Sequence, residues 1–245
     1  ELLENKSRAT HKEAYQKVTF FRALEVYNNA KYSYAKELLN RSLSTAINPV
    51  FKARATYWKA ESNYQLSNFK EALEGFLDFK NNTESPQLDE FKNFEYNLAY
   101  TYFKQKKYAL AIKAFQSFIS TKPKNPVLLS DSFLRLADSY FVTTQYSPAI
   151  DAYQEALKLG QIELDYATFQ TAVSHGYLGQ ISDKITGLNK VVKFKKSNLK
   201  DQALFELANT YVNQGTPEKA LPYYSQLIRD FPSSALVSKA LLRKG

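Results

Sequence analysis

A short pattern of residues recurs along this chain with a period of about 37 residues. In five of its six copies an alanine is followed twelve residues later by a second alanine. In every copy an aromatic residue or leucine lies sixteen residues after the first alanine. The first alanines are Ala23, Ala60, Ala99, Ala137, Ala172 and Ala208, and Gly245 stands where a seventh copy would begin. A fixed period of this length indicates repeated supersecondary units, so the pattern predicts six repeats and the start of a seventh.

The repeats are predicted to form helix pairs within one domain that covers residues 1–245. We place them at residues 16–50, 53–87, 92–126, 130–162, 165–196 and 201–235, with a partial repeat at 236–245. Each repeat has two blocks of apolar residues at three- and four-residue spacing, which is typical of amphipathic helices. The alanines let two helices approach closely, so we expect an all-α stack of antiparallel pairs. The fifth repeat is the weakest, since Lys184 replaces the second alanine.

The polar break of the sixth repeat, GTPE at residues 215–218, raises the question of a phosphate site at a helix N-terminus. The equivalent positions of Gly215 in the other repeats are Ala30, Ser67, Lys106, Thr144 and Gly179. A phosphate cradle would not recur in every repeat with so few glycines, and Glu218 would repel an anion. We therefore predict a turn in which Gly215 is left-handed, Thr216 caps the second helix and Pro217 begins it.

The recurring small residue, Tyr, Ala, aromatic residue, Ala and Pro resemble the tetratricopeptide repeat, whose usual unit is about 34 residues. The resemblance covers nearly the whole chain. Its longer repeats are similar to those of bacterial envelope proteins such as the Tol-Pal coordinator, the outer-membrane barrel-assembly lipoprotein and long repeat proteins of the Bacteroidetes. The resemblance implies a right-handed superhelical solenoid that acts as a non-catalytic scaffold for a peptide or protein partner. It also implies a periplasmic or outer-membrane-associated location, with the cytoplasm as the alternative.

In this family a concave groove follows the first helix of each pair, at positions −3, +1, +4 and +5 from the first alanine. The resemblance implies groove residues at Tyr27, Tyr57, Tyr64, Tyr96, Tyr100, Phe103, Phe141, Tyr177, Asn209 and Asn213. Such aromatic side chains can hold an extended peptide or a partner helix, although many of them could instead pad adjacent helices. Only the two asparagines match the set by which some family members clamp a chaperone carboxylate, so we do not expect that ligand.

Five lysines lie close together at the end of the fifth repeat and the start of the sixth: Lys190, Lys193, Lys195, Lys196 and Lys200. This basic patch could bind anionic lipid, peptidoglycan or an acidic partner. It also coincides with a joint between repeats, and a solvated joint is the simpler interpretation. The net charge of +9 is spread along the chain, so we do not expect nucleic-acid binding.

The sequence carries no recognisable catalytic or phosphate-binding motif and no cysteine. Its two histidines, His11 and His175, are far apart in the chain. His175 occupies the frame position of Tyr102, Tyr140 and Tyr211, which predicts a packed, hydrogen-bonded side chain rather than a ligand or base. We therefore expect no enzyme activity, no cofactor and no metal.

Two further functions remain alternatives to the scaffold. One is a glycan- or peptidoglycan-binding module, because tyrosines suit stacking on sugars. The other is a helical arm of a larger protein.

The chain begins with Glu1, so we expect a processed or cut fragment. No apolar run reaches the roughly 20 residues that span a bilayer. The open seventh repeat leaves the apolar segment 235–242 without a paired helix, which favours end-to-end self-association.

Overall fold

A computed structural model describes the backbone of residues 2–244 and the side chains of Arg8 and residues 10–244. Glu1 and Gly245, the predicted first residue of the seventh frame, lie outside the described residues. The described part forms α-helices, one short 3-10 helix at Ser85–Gln87 and no strand. The α-helices are α1 (Leu2–Asn28), α2 (Tyr32–Ser44), α3 (Pro49–Gln65), α4 (Phe69–Lys80), α5 (Phe91–Lys104), α6 (Tyr108–Ser120), α7 (Pro126–Val142), α8 (Tyr146–Leu159), α9 (Leu164–Tyr177), α10 (Ile181–Lys193), α11 (Lys200–Asn213), α12 (Pro217–Asp230) and α13 (Val237–Lys244).

The helices pair in chain order, and the six pairs follow the order of the six predicted repeats. Residues up to Thr121 form one compact unit, and residues from Lys122 onward form a second. In the first unit α1 packs on α2, α3 on α4 and α5 on α6, and successive pairs stack on each other. In the second unit the pairs are α7 with α8, α9 with α10 and α11 with α12, and α13 packs on α12. The all-α prediction of stacked helix pairs is confirmed, and a single domain over 1–245 stays a prediction.

Small residues set the distance between paired helices. All six first alanines are fully buried, from Ala23 to Ala208. Where the partner helix carries glycine there is no room for a side chain: a Cβ on Gly75 would lie 2.9 Å from the Ala60 Cβ, and one on Gly187 would lie 2.7 Å from the Ala172 Cβ. A larger side chain at these contacts would push the helices apart, so the alanine pattern has a steric cause.

The fifth repeat keeps this close packing by a different arrangement. Lys184 stands where alanine was expected, and a Cβ on Gly176 would lie only 2.7 Å from the Lys184 Cδ. The missing side chain of Gly176 therefore makes room for the lysine stem. The Lys184 Nζ reaches Glu206 Oε2 of α11 at 2.8 Å, so its charge is paired in the next repeat.

The predicted turn conformation recurs in all six repeats. The φ angles of Ala30, Ser67, Lys106, Thr144, Gly179 and Gly215 are 57°, 62°, 59°, 59°, 73° and 73°. In the sixth repeat the Gly215 N–H donates to the Val212 carbonyl at 3.0 Å and the Thr216 N–H donates to the Tyr211 carbonyl at 3.0 Å. These two bonds are those of a Schellman motif, which ends the first helix and returns the chain.

One detail of the predicted turn was wrong, namely the cap of the second helix by Thr216. The Thr216 hydroxyl donates to the Tyr211 carbonyl at 3.1 Å and makes no side-chain bond to α12, so it closes the preceding helix instead of capping the next one. Pro217 begins α12, as predicted. The six turn positions carry no side-chain hydrogen-bond donor that recurs from repeat to repeat. The interpretation of this segment as a structural turn therefore stands.

The first helix is longer than the first predicted repeat. It begins at Leu2, whereas the repeat was placed from residue 16. Gln16 is fully buried, its amide oxygen accepts from the Ile47 and Asn48 N–H groups at 3.1 and 2.9 Å, and its amide nitrogen donates to the Asn48 carbonyl at 3.1 Å. Gln16 therefore fastens α1 to the segment between α2 and α3. No helix among the described residues combines the length and apolar character that a membrane span needs.

Thr144 and Gly215 provide a matched test of the left-handed turn. A β-branched residue at positive φ is strained, so Thr144→Gly is expected to raise the free energy of unfolding by about 0.5–1 kcal/mol. Thermal denaturation followed by circular dichroism should show a higher midpoint. The inverse change, Gly215→Thr, should lower the midpoint, because nothing lies within 4 Å of its Cβ position to compensate. A neutral Gly215→Thr would contradict this account of the turn.

Candidate functional site

In the first unit, groove positions of α3 and α5 face each other across an open cavity of about 200 Å³. We call it the tyrosine cavity, and its walls are Glu61, Tyr64, Gln65, Tyr96, Asn97 and Tyr100. Three of these residues, Tyr64, Tyr96 and Tyr100, were predicted to contact a partner. Glu61 and Gln65 occupy groove positions of the same frame. The structure therefore places these predicted positions around one shared space.

The tyrosine rings of the cavity are held by phenylalanines of the second helices. The Tyr96 and Tyr100 ring centroids are 4.9 Å apart. Tyr100 lies 5.5 Å from the ring of Phe115, and Tyr96 lies 5.4 Å from that of Phe118, and both phenylalanines are fully buried. Edge and tilted contacts of this kind fix ring orientation. The walls are thus rigid, which lowers the entropic cost of binding against them.

Glu61 places a buried carboxylate at the cavity. Only 8% of the residue is exposed. The Tyr27 hydroxyl donates to its Oε2 at 3.2 Å, and the Asn97 amide donates to its Oε1. Burial raises the pKa of Glu61 to about 7, and the hydrogen bonds from Tyr27 and Asn97 offset part of that rise. Near neutral pH the carboxyl group therefore exists in both protonation states.

Two predicted groove tyrosines support this carboxylate from within the protein. Tyr27 donates to it from α1, and its ring lies 5.1 Å from the Trp58 ring. The Tyr57 hydroxyl accepts from the Asn97 amide at 2.7 Å. Burial, together with the charge of Glu61, raises the pKa of both tyrosines, so both hydroxyls stay protonated.

Tyr57 is not a wall of the groove. It is 5% exposed and packs against Phe79 and Phe76, with ring centroids 5.1 and 5.8 Å away. Its ring belongs to the core of the second repeat. At this position the aromatic residue therefore packs between helices, which was the alternative to contact with a partner. Phe103 is half-buried and packs on Tyr108, with ring centroids 5.6 Å apart.

In the second unit the first helices line another cavity, of about 370 Å³. Its walls are Phe169, Gln170, Val173, Gly176, Tyr177, Lys184 and Glu206. Tyr177 is 62% exposed and stacks on Tyr146 with ring centroids 4.5 Å apart and planes 6° from parallel. Phe141 lies 5.8 Å from Tyr177. The predicted residues Phe141 and Tyr177 thus share one exposed aromatic cluster.

The two asparagines have different surroundings. Asn213 is exposed at the end of α11. The Asn209 amide oxygen accepts from the Tyr224 hydroxyl at 2.7 Å and from Arg243 Nη1 at 2.8 Å. That oxygen is therefore used within the chain, which leaves Asn213 as the more accessible of the two for a ligand.

Asn209 belongs to a pairing that the sequence contains but that the frame alone did not identify. In the fourth repeat Asp138 at +1 accepts from the Tyr153 hydroxyl at +16, at 2.7 Å, just as Asn209 accepts from Tyr224 in the sixth. Both tyrosines are fully buried and their hydroxyls need an acceptor. The repeats with tyrosine at +16 are the ones with Asp or Asn at +1, a pattern visible in the sequence.

Position −2, which lies two residues before the first alanine of a repeat, was also not predicted from the sequence. Asn97, Gln170 and Glu206 hold this position, and all three line the cavities. It lies three residues before +1, so the two positions share one helix face. Helical spacing from the predicted +1 positions would have identified these residues.

The basic patch lies where α10 ends and α11 begins. Lys190 and Lys193 are in the last turn of α10, and Lys200 is the first residue of α11. Positive charge is favourable at a helix C-terminus, so this part of the patch has a structural reason. Binding of an anionic partner there stays a prediction.

The histidines give no sign of a shared site. His175 Nδ1 lies 2.6 Å from Gln180 Oε1, so its side chain is hydrogen-bonded as predicted. His11 is exposed on α1. Within residues that the structure describes, no cluster of histidine, aspartate and glutamate has the arrangement of a metal site.

A family model described as the tetratricopeptide repeat matches residues 95–125, 131–159 and 202–234. These three segments of the chain are tetratricopeptide repeats. The matched segments are the third, fourth and sixth repeats of the frame. The first, second and fifth repeats are not matched, and the fifth is the one in which Lys184 replaces alanine.

Solved structures of tetratricopeptide-repeat proteins share the fold of this chain. The C-terminal part of a repeat protein from Cytophaga hutchinsonii is 14% identical, covers 98% of this chain and 96% of that chain, and superposes with a TM-score of 0.72. PilW, a type IV pilus biogenesis factor, is 17% identical, with coverage of 92% and 98% and a TM-score of 0.61. YrrB, whose peptide-binding site is described as unusual, is 18% identical, with coverage of 83% and 97% and a TM-score of 0.63. No curated protein sequence matches this chain.

The buried carboxylate makes folding stability depend on pH in a direction that can be measured. Because the folded-state pKa of Glu61 is raised, the folded state holds a proton that the unfolded state has lost, and stability falls as pH rises from about 4.5 to about 7. Glu61→Gln removes this loss. Its free energy of unfolding relative to wild type is expected to increase by about 2 kcal/mol between pH 5 and pH 8.

Urea denaturation at the two pH values would measure this difference. Glu71→Gln, at an exposed position of α4, is the matched control and should show the same difference from wild type at both pH values. If Glu61→Gln shows no change with pH relative to wild type, the carboxylate does not carry the proton assigned to it.

Proposed function

We propose that this protein is a non-catalytic scaffold that binds a peptide or a segment of a partner protein along the first helices of its repeats. The observation that supports the proposal most strongly is the tyrosine cavity, where Tyr64, Tyr96 and Tyr100 surround one open space. Rigid aromatic walls with a few polar groups are typical of sites that anchor a side chain of a bound segment. YrrB offers a parallel in the same fold, as a repeat protein with a peptide-binding site.

A binding role fits the groups that line the cavity better than catalysis does. They comprise one carboxyl group, two amides and three tyrosines, with no histidine, lysine or serine among them. General acid–base or nucleophilic chemistry needs a nucleophile within reach of a second group of matched pKa. Burial raises the pKa of the neighbouring Tyr27 and Tyr57, which is opposite to the activation of a tyrosine nucleophile.

The proposed setting is the bacterial envelope, in assembly, secretion or division machinery. The support is the repeat length of about 37 residues, longer than the usual unit of about 34, together with a fold shared with the pilus biogenesis factor PilW. A periplasmic or outer-membrane-associated location belongs to this proposal. End-to-end association through α13, where Leu241 and Leu242 are exposed, is a further part of it.

A glycan is the second candidate ligand. The observation that favours it is the stacked pair of Tyr146 and Tyr177 in the second unit, which presents a flat aromatic surface with Tyr177 62% exposed. A titration with muropeptides followed by NMR would test it. Chemical-shift changes at Tyr177 and its neighbours would support the glycan, and unchanged spectra at millimolar ligand would remove it.

The scaffold predicts which aromatic side chains a partner depends on. A partner segment recovered from envelope extract by cross-linking would be synthesised as a peptide, and its binding to the full chain measured by fluorescence anisotropy. Tyr64→Ala, Tyr100→Ala and Phe141→Ala each remove an aromatic contact, and at least one of the first two should weaken binding about 30-fold, as expected for an interface anchor.

Tyr34→Ala is the matched control. Tyr34 is 43% exposed on α2, a second helix, and lies away from the groove positions. It should bind the peptide like wild type. Equal binding by all four variants would contradict the assignment of the groove, and recovery of no partner segment would count against the scaffold itself.

A further inference from the structure

We infer that the tyrosine cavity holds a basic side chain, lysine or arginine, of the bound segment, with the Glu61 carboxylate as its counter-ion. The inference rests on the proposed scaffold function and specifies the chemistry of the partner.

Glu61 lacks the cation that the other buried carboxylates have. Among the described residues four carboxylate side chains are buried: Glu61, Glu90, Asp131 and Asp138. Arg54 Nε reaches Glu90 at 2.8 Å, and Arg135 reaches Asp131 at 3.4 Å and Asp138 at 2.8 Å. The hydrogen-bond partners of Glu61 are Tyr27 and Asn97, which are neutral. A buried carboxylate without a cation is destabilised in its ionised form, so Glu61 is the buried carboxylate at which a cation from outside would be favourable.

The repeat frame shows that Glu61 is not needed by the core of its own repeat. At this position, +1, Asp138 and Asn209 accept a hydrogen bond from a buried tyrosine at +16. The +16 residue of the second repeat is Phe76, which has no hydroxyl to donate. The carboxylate of Glu61 therefore has no hydroxyl to satisfy at +16 and instead lines the cavity.

The cavity has the shape and the walls that a basic side chain needs. Its volume of about 200 Å³ accommodates a charged head group and part of its methylene stem. The rings of Tyr64, Tyr96 and Tyr100 present aromatic surface, which attracts a cation and also covers an apolar stem. A lysine or arginine head group entering between them would reach a carboxylate already oriented by Tyr27 and Asn97.

The other ionisable groups around Glu61 are tyrosines. They come from every element packed against it: Tyr27 from α1, Tyr57 and Tyr64 from α3, and Tyr96 and Tyr100 from α5. The buried residues of α4 are apolar. Burial raises the pKa of Glu61 to about 7, and a cation beside it would favour its ionised form. Binding of a basic side chain is therefore coupled to loss of a proton.

The experiment begins with a selection from a random-peptide library on the immobilised full chain. The best binder is then synthesised in two forms, with its basic residue intact or replaced by norleucine, which keeps the stem and removes the charge. Binding of both forms to wild type and to Glu61→Gln is measured by calorimetry at pH 8. Circular dichroism confirms that the variant is folded, and Glu71→Gln serves as the matched exposed control.

We expect the basic peptide to bind wild type about tenfold or more tightly than its norleucine form, because a hydrogen bond to a charged group contributes that much. This preference should disappear in Glu61→Gln and persist in Glu71→Gln. On wild type the affinity for the basic peptide should rise about tenfold from pH 6 to pH 8, as Glu61 ionises, while that of the norleucine form stays constant.

The outcomes separate this inference from the function on which it rests. Peptides that bind wild type and lose affinity with Tyr100→Ala, yet bind equally with norleucine and show no pH dependence, would overturn the basic-side-chain inference and leave the scaffold intact. If no peptide is selected at all, the scaffold proposal fails and the inference fails with it. The pH dependence on wild type needs no variant, so it tests the inference even where Glu61→Gln unfolds.

Discussion

The contact between small residues on paired helices is the constraint on which the rest of this structure depends. Buried alanines at the first position of every repeat, and glycines opposite two of them, let the helices of a pair lie close together. Close helices bring the +16 aromatic residue against the first helix. They also align successive first helices so that α1, α3 and α5 touch in the first unit. The tyrosine cavity lies between two of these first helices, α3 and α5, so its walls depend on how closely each pair packs.

Most of the fold could be predicted from the sequence because its determinants are local. A repeat frame fixes which residues are small and buried, and the same frame located six left-handed turns, four of them without glycine. The frame did not predict where α1 begins or which hydrogen bond the Thr216 side chain makes. Each of these features depends on a neighbouring segment and not on the repeat pattern. The helix begins at Leu2, fourteen residues before the buried Gln16.

The sequence identified some residues of the tyrosine cavity and missed others. Groove positions taken from the resemblance identified Tyr64, Tyr96 and Tyr100, but assigned Tyr57 to the same surface. Both tyrosines at position −3 pack on the equivalent phenylalanine of the second helix, Tyr57 on Phe79 and Tyr96 on Phe118. Tyr57 is nevertheless buried, whereas Tyr96 lines the cavity, and the frame does not distinguish the two. Contacts between repeats, such as Asn97 with Glu61, lie outside what a single-repeat frame can predict.

The arrangement in the fifth repeat has a consequence for how this protein can be altered. Gly176 gives Lys184 its space within the fifth repeat, but the charge of Lys184 is paired by Glu206 of the sixth. The fifth repeat is therefore not an interchangeable module. Moved alone to another place in the array, it would carry a half-buried ammonium group without its carboxylate, so the smallest transferable segment at this point of the chain is the two repeats together.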